Sequence, residues 1–414
     1  MLKINEARLL QDLHDLAQIG ATPDGGVTRK AFSERDVEAR EWLKQRILAD
    51  QFKYHEDGAG NQSAILPSTD PQATQTLISG SHIDSVTNGG RFDGVLGILS
   101  ALEVLRTLRE AGLSRPVHLE AISFTDEEGH LLGEFGSLAF AGMLTPEKLA
   151  NPRGGLKKLQ EGMQRLGLSA DSVASAKRDP ASIAGYIELH VEQGARLEES
   201  NTDIGVVTAI VGIRSAWLTF HGRTAHAGTK PMHQRADALW GATDFMQQAR
   251  QLIIDQFTPG VMNCGFIDAQ PGSFNIVPAQ VKLALEFRHR SEELLDEMQQ
   301  QLFTLAQTAA DQRNLTITIE PAINIPAAPM CETVITAIEN AAESLDLKHK
   351  QLLSFAGHDA QTITQICPAA MIFVPSVDGI SHNPKEYTKD QDVINGANTL
   401  LHTVLELIKR TSDE

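Results

Sequence analysis

Residues 76–124 have the pattern of a strand, a helix and a second strand joined by short connections. The first strand is predicted at 76–81, the helix at 95–108 and the second strand at 117–124. Because strands joined through a helix usually run parallel, this order predicts a mostly parallel α/β sheet. The same reasoning predicts further strands at 183–191 and 370–377 and a closing helix at 391–409.

The section between these outer strands has a different character. Strand-like runs at 206–220, 281–288 and 315–320 alternate with helical runs at 235–257 and 292–311. Such elements would build a compact α+β insert of the size of a small domain, and Pro321, Pro326 and Pro329 suggest the return hinge. A chain of 414 residues also exceeds the size at which one core keeps growing. We therefore predict two domains, one of residues 1–208 with 326–414 and an inserted one of residues 209–325.

The amino-acid composition indicates which kinds of binding partner and which cellular compartment to expect. The 53 acidic and 36 basic residues give a net charge of −17, which disfavours nucleic acid and anionic membranes as partners. Cys264, Cys331 and Cys367 lie far apart and indicate neither a disulfide framework nor a thiolate zinc site. Residues 1–20 predict an amphipathic surface helix rather than a signal peptide, and no stretch has the roughly 20 apolar residues that cross a bilayer. We therefore expect a cytoplasmic protein that acts on small molecules.

The first strand is followed by two segments that contain candidate metal ligands, GSHIDS (80–85) and GGRFDG (89–94). Residues two apart in a strand face the same way, so the Asp84 carboxylate could accept a hydrogen bond from one ring nitrogen of His82 while the other nitrogen binds a metal. Asp93 lies among glycines that permit a tight loop, and its two oxygens could serve two ions. A glycine-rich surface turn with a solvated aspartate is an equally ordinary interpretation.

The second strand is followed by three consecutive carboxylates, Asp126, Glu127 and Glu128, in FTDEEG (124–129). They would repel one another unless cations or solvent screen them. One glutamate could bind a metal while its neighbour acts as a general base on water. Acidic turns after strands are usually only solvated, so this segment alone is a weak signal.

Two further predicted strands lead to a histidine, His190 within YIELHVEQG (186–194) and His382 within SVDGISHNP (376–384). A single histidine in an apolar strand is more often a core residue than a ligand, and a loop histidine is more often solvated. However, four such segments at strand ends would meet at one edge of an open α/β sheet, and together they predict a metal centre. Imidazole and carboxylate without thiolate suit zinc, manganese, nickel or cobalt better than calcium or an iron–sulfur cluster.

With these residues placed, the chain resembles the metal-dependent amidohydrolases related to aminoacylase and carboxypeptidase G. Within them it is most similar to the branch of N-carbamoyl-L-amino acid hydrolase, β-ureidopropionase and allantoate amidohydrolase. The resemblance spans nearly the whole chain and rests on GSHIDSVTNGGRFDG (80–94), FTDEEG (124–129), ELHVEQG (188–194), GRTAHAGTKPM (222–232), NIVP (275–278), GHDA (357–360) and GISHNP (379–384). The choice of branch rests largely on His190, because relatives that cleave peptides or acylated amino acids usually carry an acidic residue there.

The resemblance implies a mixed-sheet α/β catalytic domain that holds two divalent metal ions, with zinc expected and manganese, cobalt or nickel as alternatives. It implies that the inserted α+β domain serves as lid and dimer surface. The implied ligands form two groups that share one aspartate: His82, Asp93 and His190 for one ion, and Asp93, Glu128 and His382 for the other. Glu127 is implied to be the general base, and Asp84 is implied to orient His82.

The resemblance also implies substrate-binding residues, and the three clearest lie in the insert: His226, Asn275 and Arg288. His226 is implied to act in the partner subunit's site, where it could stabilise an oxyanion, and Arg288 could grip a carboxylate with two hydrogen bonds. Without the surrounding motifs, these three residues would be interpreted as a loop histidine, a turn asparagine and an exposed strand arginine. Further candidates are Gln193 and, through the backbone, Gly357 and His358.

The implied function is hydrolysis of the amide (carbamoyl) bond of an N-carbamoyl-L-amino acid or a related ureido acid, through a bridging water that a glutamate activates. One segment departs from the pattern: several carbamoyl-hydrolase relatives carry an Arg-Phe pair after the glutamates, whereas here HLLGEF (130–135) follows Gly129. Allantoate amidohydrolase and N-acyl amino acid deacylase are therefore alternative activities. A catalytically silent ligand-binding protein of the same fold is the alternative from another class, although it would have no need for Glu127. We expect a homodimer without nucleic-acid or membrane partners.

Overall fold

The computed structural model describes residues 1–413 and the side chains of residues 1–410. The strands are, in chain order, β1 (Lys53–Glu56), β2 (Gln62–Leu66), β3 (Thr76–His82), β4 (His118–Phe124), β5 (Ile183–Val191), β6 (Ile204–Ile210), β7 (Gly212–His221), β8 (Val261–Gln270), β9 (Gln280–His289), β10 (Thr316–Ile325), β11 (Ala328–Pro329), β12 (His349–Ser354) and β13 (Ala369–Val374). By the clustering of their contacts, the residues divide into two compact units, Met1–Thr208 with Pro329–Glu414, and Ala209–Ala328.

The α-helices are α1 (Glu6–Ala17), α2 (Glu34–Ala49), α3 (Val95–Glu110), α4 (Phe135–Phe140), α5 (Pro146–Ala150), α6 (Leu156–Arg165), α7 (Ala170–Ser175), α8 (Arg196–Glu199), α9 (Ala238–Gln256), α10 (Glu292–Gln312), α11 (Glu332–Ser344), α12 (Asp359–Ile363) and α13 (Asp390–Asp413). Short 3₁₀ turns occur at Pro180–Ser182, Met232–Gln234 and Val377–Gly379. None of the helices within residues 1–413 combines the length and the apolar composition that a membrane span requires.

The first unit is built on a nine-stranded sheet of order β1-β2-β4-β3-β5-β13-β6-β11, with β12 paired to β6 beside this path. The four central strands β4, β3, β5 and β13 run parallel, whereas β1, β2 and β6 pair antiparallel with their neighbours. Every residue of β3 and β13 is buried, as expected for central strands with helices on both faces. The predicted α/β fold with a mixed sheet is therefore confirmed.

Helix α3 connects β3 to β4 and packs against β3, β4 and β5 on one side and against α1 and α13 on the other. All of its residues from Val95 to Leu108 are buried, and most of them are apolar. Its first turn approaches the sheet closely at Gly97, where a Cβ would collide with the Leu189 carbonyl oxygen. This close approach places the loop before α3 directly at the carboxyl ends of β3 and β5.

The second unit has a four-stranded antiparallel sheet of order β10-β7-β9-β8, with α9 and α10 packed against it. Alternate residues of its central strands are buried, as in Leu218 and Phe220 of β7 and Leu283 and Leu285 of β9. This period of two is the pattern of a sheet with one face on the core. Strand β8 was not predicted, because Asn263, Gly265 and Asp268 interrupt its apolar run.

Two details of the insert differ from prediction. The single strand predicted at 206–220 is two strands, since β6 belongs to the large sheet and β7 to the small one, and the chain passes between sheets at Val211. Pro321 lies inside β10 rather than in a hinge. Strand β10 is at the edge of its sheet and its register shifts between Pro321 and Ile323, and an edge strand with a bulge tolerates the missing N–H of proline.

Candidate metal centre

The four polar segments singled out in the sequence meet at one edge of the large sheet. His82 is the last residue of β3 and His190 the penultimate residue of β5, while Glu127 and Glu128 follow β4. His382 lies in the turn after β13, with a positive φ of 53°. Because β4, β3, β5 and β13 are parallel, their carboxyl ends lie side by side, and the predicted ligands and base converge there.

Asp93 lies at the centre of this cluster. Its Oδ1 is 3.1 Å from His190 Nε2 and 3.7 Å from His82 Nε2. Its Oδ2 is 3.5 Å from His382 Nε2, and the same nitrogen is 3.5 Å from Glu128 Oε2. Two groups of potential metal ligands thus share one carboxylate, and the ligand atoms of each group lie within 4.8 Å of one another: His82, Asp93 and His190, and Asp93, Glu128 and His382.

Backbone hydrogen bonds decide which nitrogen of two histidines faces the carboxylate of Asp93. His82 Nδ1 is 3.1 Å from the Asp84 carbonyl oxygen, and His190 Nδ1 is 2.9 Å from the Val191 carbonyl oxygen. In the neutral rings Nδ1 therefore carries the proton and donates it, and Nε2 keeps a lone pair on the side of Asp93. At such short distances, the lone pairs of a ring nitrogen and of a carboxylate oxygen repel each other unless a proton or a metal cation lies between them.

Burial determines the ionisation of the clustered groups. It lowers the pKa of the His82 imidazole to about 4, which favours the neutral ring that binds metals. Burial opposes ionisation of Asp93, but without a metal the positive charge of a protonated His190 ring beside it holds the pKa of the Asp93 carboxyl well below its usual range. Burial, and then the proximity of Glu128, raises the pKa of Glu127 well above its usual range. A cation at this place would relieve the repulsion between the two glutamates.

The ion pairs of the centre's carboxylates are with histidines, and the buried Arg29 guanidinium interacts with Asp84 only at longer range. Within the described part of the chain, no lysine or arginine forms an ion pair with the carboxylates of Asp84, Asp93, Glu127 or Glu128. Several buried acids in one place are stable as anions only when a cation balances them. Imidazole and carboxylate donors without thiolate fit divalent zinc, manganese, cobalt or nickel.

Asp84 contacts His82 through its backbone carbonyl rather than, as predicted, through its carboxylate. The Asp84 Oδ1 lies 3.7 Å from His82 Nδ1, beyond hydrogen-bonding distance. The prediction was wrong because β3 ends at His82, so the alternation of a strand does not extend to Asp84. The Asp84 carboxylate instead accepts the backbone N–H groups of Glu127 and Glu128, each at 3.3 Å. It therefore orients the turn that carries both glutamates.

Gln193 and Ser381 both donate a hydrogen bond to Asp93 Oδ2, at 2.9 Å and 3.2 Å. Gln193 has a positive φ of 57°, and its Nε2 is also 3.5 Å from His382 Nε2. The structure thus places Gln193, predicted as a substrate residue, against Asp93 and His382 of the candidate metal centre. Ser381 was missed, because a serine beside a loop histidine gives no signal in the sequence.

A second layer of polar residues lies behind His190. The His358 ring packs edge-on against it, with ring centroids 4.5 Å apart, and is 1% exposed. Glu188, His190 and His358 also have the spacing of metal ligands. However, both oxygens of Glu188 already accept a hydrogen bond within the protein, one from the Ser81 hydroxyl at 2.7 Å and the other from a backbone N–H at 2.9 Å. Because the His358 ring is buried, a substrate contact here would be made by the backbone of Gly357 and His358.

The three substrate residues predicted in the insert lie in the second unit. His226 and Asn275 are exposed on loops that touch, since His226 forms an isolated β-bridge with Ile276 and the next N–H donates to the Asn275 carbonyl at 3.0 Å. Arg288 is the penultimate residue of β9 and is half-buried. Its guanidinium pairs with Glu286 of the same strand at 2.8 Å.

Glu386 is a buried carboxylate of the centre that sequence reasoning missed. Its Oε1 accepts the backbone N–H groups of Phe92 and Asp93 at 3.0 Å and 3.1 Å. Burial, and then the charge of Asp93, raises the pKa of Glu386 to about 7. In the sequence Glu386 belongs to the polar run NPKEYTK (383–389), where a glutamate is typical of solvated surface.

Comparison with known proteins gives consistent relatives along the whole chain. The model of peptidase family M20/M25/M40 matches residues 78–406. An N-carbamoyl-L-amino acid amidohydrolase of Geobacillus stearothermophilus is 36% identical over 406 residues, covering 98% of this chain and 99% of the relative. An allantoate amidohydrolase of Bacillus subtilis (strain 168) is 33% identical over 397 residues, covering 95% of each chain.

Solved structures show the same similarity. The crystal structure of an amidase of the hydantoinase/carbamoylase family from Burkholderia multivorans has a TM-score of 0.90 to this chain. The two sequences are 33% identical, and the match covers 98% of each chain. The likeness therefore includes both units.

Proposed function

The chain belongs to peptidase family M20/M25/M40, and we propose that it is an amidohydrolase that cleaves the carbamoyl bond of N-carbamoyl-L-amino acids or related ureido acids. The products would be ammonia, carbon dioxide and the amino acid. Full-length relatives named N-carbamoyl-L-amino acid amidohydrolase support a hydrolase of carbon–nitrogen bonds other than peptide bonds. A cytoplasmic location stays a prediction.

The proposal includes a metal centre of two divalent ions, held by His82, Asp93 and His190 on one side and by Asp93, Glu128 and His382 on the other. Its support is the pair of ligand groups that share Asp93 and the lone pairs that face one another within them. Bound ions would supply Lewis acidity that lowers the pKa of water and polarises the substrate carbonyl. Zinc is the first expectation, with manganese, cobalt or nickel as alternatives.

Glu127 is proposed as the general base. Its Oε2 is 3.5 Å from His82 Nε2, so it lies beside the proposed ligands without belonging to either ligand group. This is the observation that carries the proposal, because a binding protein needs ligands but no base beside them. The raised pKa of Glu127, caused first by burial, suits a group that takes a proton from water and later gives it to the leaving nitrogen. The Asp84 carboxylate would keep Glu127 in position by accepting the backbone N–H of Glu127.

The second unit is proposed to bind substrate and to form a homodimer. His226 would stabilise the oxyanion in the partner subunit's site, Asn275 would both donate and accept hydrogen bonds, and Arg288 would hold the substrate carboxylate. Gln193 and the backbone of Gly357 and His358 would complete the contacts. Strand β8 supports an interface, because it is an edge strand with Phe266 46% and Ile267 50% exposed.

Allantoate hydrolysis is the second candidate activity. The allantoate amidohydrolase of B. subtilis matches 95% of this chain, and residues 130–135 depart from the Arg-Phe pattern of several carbamoyl hydrolases. A ligand set of imidazoles and carboxylates would serve either ureido substrate.

We expect protein stripped of metal to be inactive and to recover when zinc or manganese is restored. The recovered enzyme should release ammonia from N-carbamoyl-L-amino acids and should approach two bound ions per chain, one for each ligand group. Allantoate and N-acetyl amino acids should be assayed in parallel. Full turnover by protein shown to be free of metal would contradict the metal centre, and turnover of N-acetyl amino acids alone would contradict the substrate assignment.

Changing the two neighbouring glutamates should separate the base from the ligand. Glu127→Gln should lower kcat by about 10²–10⁴-fold while metal content stays near that of the parent, since it removes proton transfer only. Glu128→Ala should instead lower occupancy of one site. Metal analysis and steady-state kinetics of both variants decide the matter, and near-normal turnover by Glu127→Gln would show that another group is the base.

Mixing two inactive variants tests whether His226 serves the neighbouring subunit. His226→Ala and Glu127→Gln chains should each be nearly inactive, whereas heterodimers should regain activity because one of their two sites has both residues intact. His233→Ala, which changes an exposed histidine of the same segment, is the control and should stay active. Proven subunit exchange without recovery would exclude a shared site.

Arg288 should matter only for substrates that carry a carboxylate. Arg288→Lys keeps the charge but loses two-pronged binding, so kcat/KM for the carboxylate substrate should fall while metal content is unchanged. A substrate amide without the carboxylate should lose about 1.5–3 kcal/mol in the parent enzyme and much less in the variant. Arg290→Lys, at the exposed position two residues later, is the matched control. Additive losses in this double cycle would show that Arg288 does not contact the carboxylate.

A further inference from the structure

Glu386 links the two segments that supply Asp93 and His382. It lies four residues after His382, in the turn between β13 and α13, and only 4% of it is exposed. Its Oε1 accepts the backbone N–H groups of Phe92 and Asp93 at 3.0 Å and 3.1 Å. One side chain from the His382 segment therefore holds the backbone of the loop that carries Asp93.

The loop is shaped around this carboxylate. A Cβ on Gly90 would overlap the Glu386 carboxyl, so the space exists only because residue 90 is glycine. Next to it, the Phe92 and Tyr387 rings pack edge to face with centroids 6.1 Å apart, and the Arg91 guanidinium lies over both, 5.1 Å and 5.8 Å from their centroids. The Asp93 loop and the Glu386 turn thus fit one another closely.

An acid at this position is unfavourable for stability alone. Glu386 Oε2 is buried and has no hydrogen-bond partner among the described residues, and the carboxyl is close to that of Asp93. A neutral amide would accept the same two N–H groups without repelling Asp93. However, a carboxylate forms the shorter and stronger hydrogen bonds, and its negative charge attracts a cation bound nearby.

We propose that Glu386 is a positioning residue that holds Asp93 between the two ligand groups and strengthens the binding of divalent ions. This inference rests on the metal centre of the proposed function. The hydrogen bonds of Glu386 in this centre go to backbone N–H groups and not to a ligand atom, so it acts through Asp93. Groups that orient metal ligands in this way typically change metal affinity by about 10- to 100-fold when removed.

The experiment is titration calorimetry of metal-free, full-length protein with manganese or zinc. Glu386→Gln should weaken the dissociation constant by about 10-fold and Glu386→Ala by up to about 100-fold. The matched control is Asp57→Asn, since Asp57 Oδ1 also accepts two backbone N–H groups, of Ala59 and Asn61, at 2.9 Å each. This control should leave metal affinity unchanged.

Gly90→Ala gives a second, independent perturbation of the same contact. It should weaken metal binding in the parent, because the added methyl displaces the Glu386 carboxyl, but should have little effect in the Glu386→Ala background, where the space is vacant. The four proteins form a double-mutant cycle in metal affinity. Additive effects would overturn the inference that Gly90 and Glu386 act as a unit on the centre.

Melting temperatures of the metal-free proteins separate positioning from simple structural support. If Glu386→Gln had a lower melting temperature than the parent but the same metal affinity, this inference would be overturned. The proposed function would remain intact. If the parent protein itself bound no divalent ion, the proposed function would fail, and this outcome is recognisable because parent and variants would then give the same flat titration.

Discussion

The carboxylate of Asp93, set among the imidazoles of His82, His190 and His382, is the interaction on which the rest of the centre depends. Its two oxygens face different histidines, so neither ligand group is complete without it. The surrounding fold is arranged to hold this one side chain. Helix α3 begins directly after its loop, and Gly97 brings the first turn of α3 against β5. Gln193 and Ser381 donate hydrogen bonds to its Oδ2, and Glu386 accepts its backbone N–H.

Concentrating buried acids around Asp93 has an energetic cost that explains several features of the structure together. Burial raises the pKa of Glu127, Glu128 and Asp84, and no lysine or arginine in the described part of the chain pairs with them. The fold offsets part of this cost with backbone N–H groups, as where Asp84 accepts two of them from the turn after β4. Backbone donors fix geometry but do not neutralise charge, so the arrangement would favour a bound cation.

The sequence predicted the central sheet and the convergence of the proposed ligands because both depend on local pattern. Apolar runs such as 76–81 mark buried strands, and parallel strands bring the polar residues that follow them to one edge.

The features that the sequence could not predict depend on contacts between distant segments. The chain changes sheets at Val211 without any break in apolar alternation, and β8 is stabilised by pairing with β9 although its own sequence is irregular. Asp84 lies two residues after His82, yet its partners are amides 43 and 44 positions away. Glu386 looks like surface in its polar run and is buried only because Gly90 leaves room for it.

The difference between residues set by local pattern and residues set by contacts between distant segments also bears on which substrate is used. The proposed metal centre with its adjacent base would serve the hydrolysis of a carbamoyl, an allantoate or an acyl amide alike, so it would not discriminate among these substrates. Discrimination requires groups that meet the parts in which these substrates differ. Within the departing segment 130–135, the Oε2 of Glu134 accepts the Thr362 hydroxyl at 2.7 Å, and its Oε1 lies close to Gly357, a proposed substrate-binding residue. An acid at this place would favour substrates that offer an N–H donor and disfavour those that present an acceptor. On this proposal, the residues that would carry the reaction and the one that would distinguish its substrates lie on different segments of the chain.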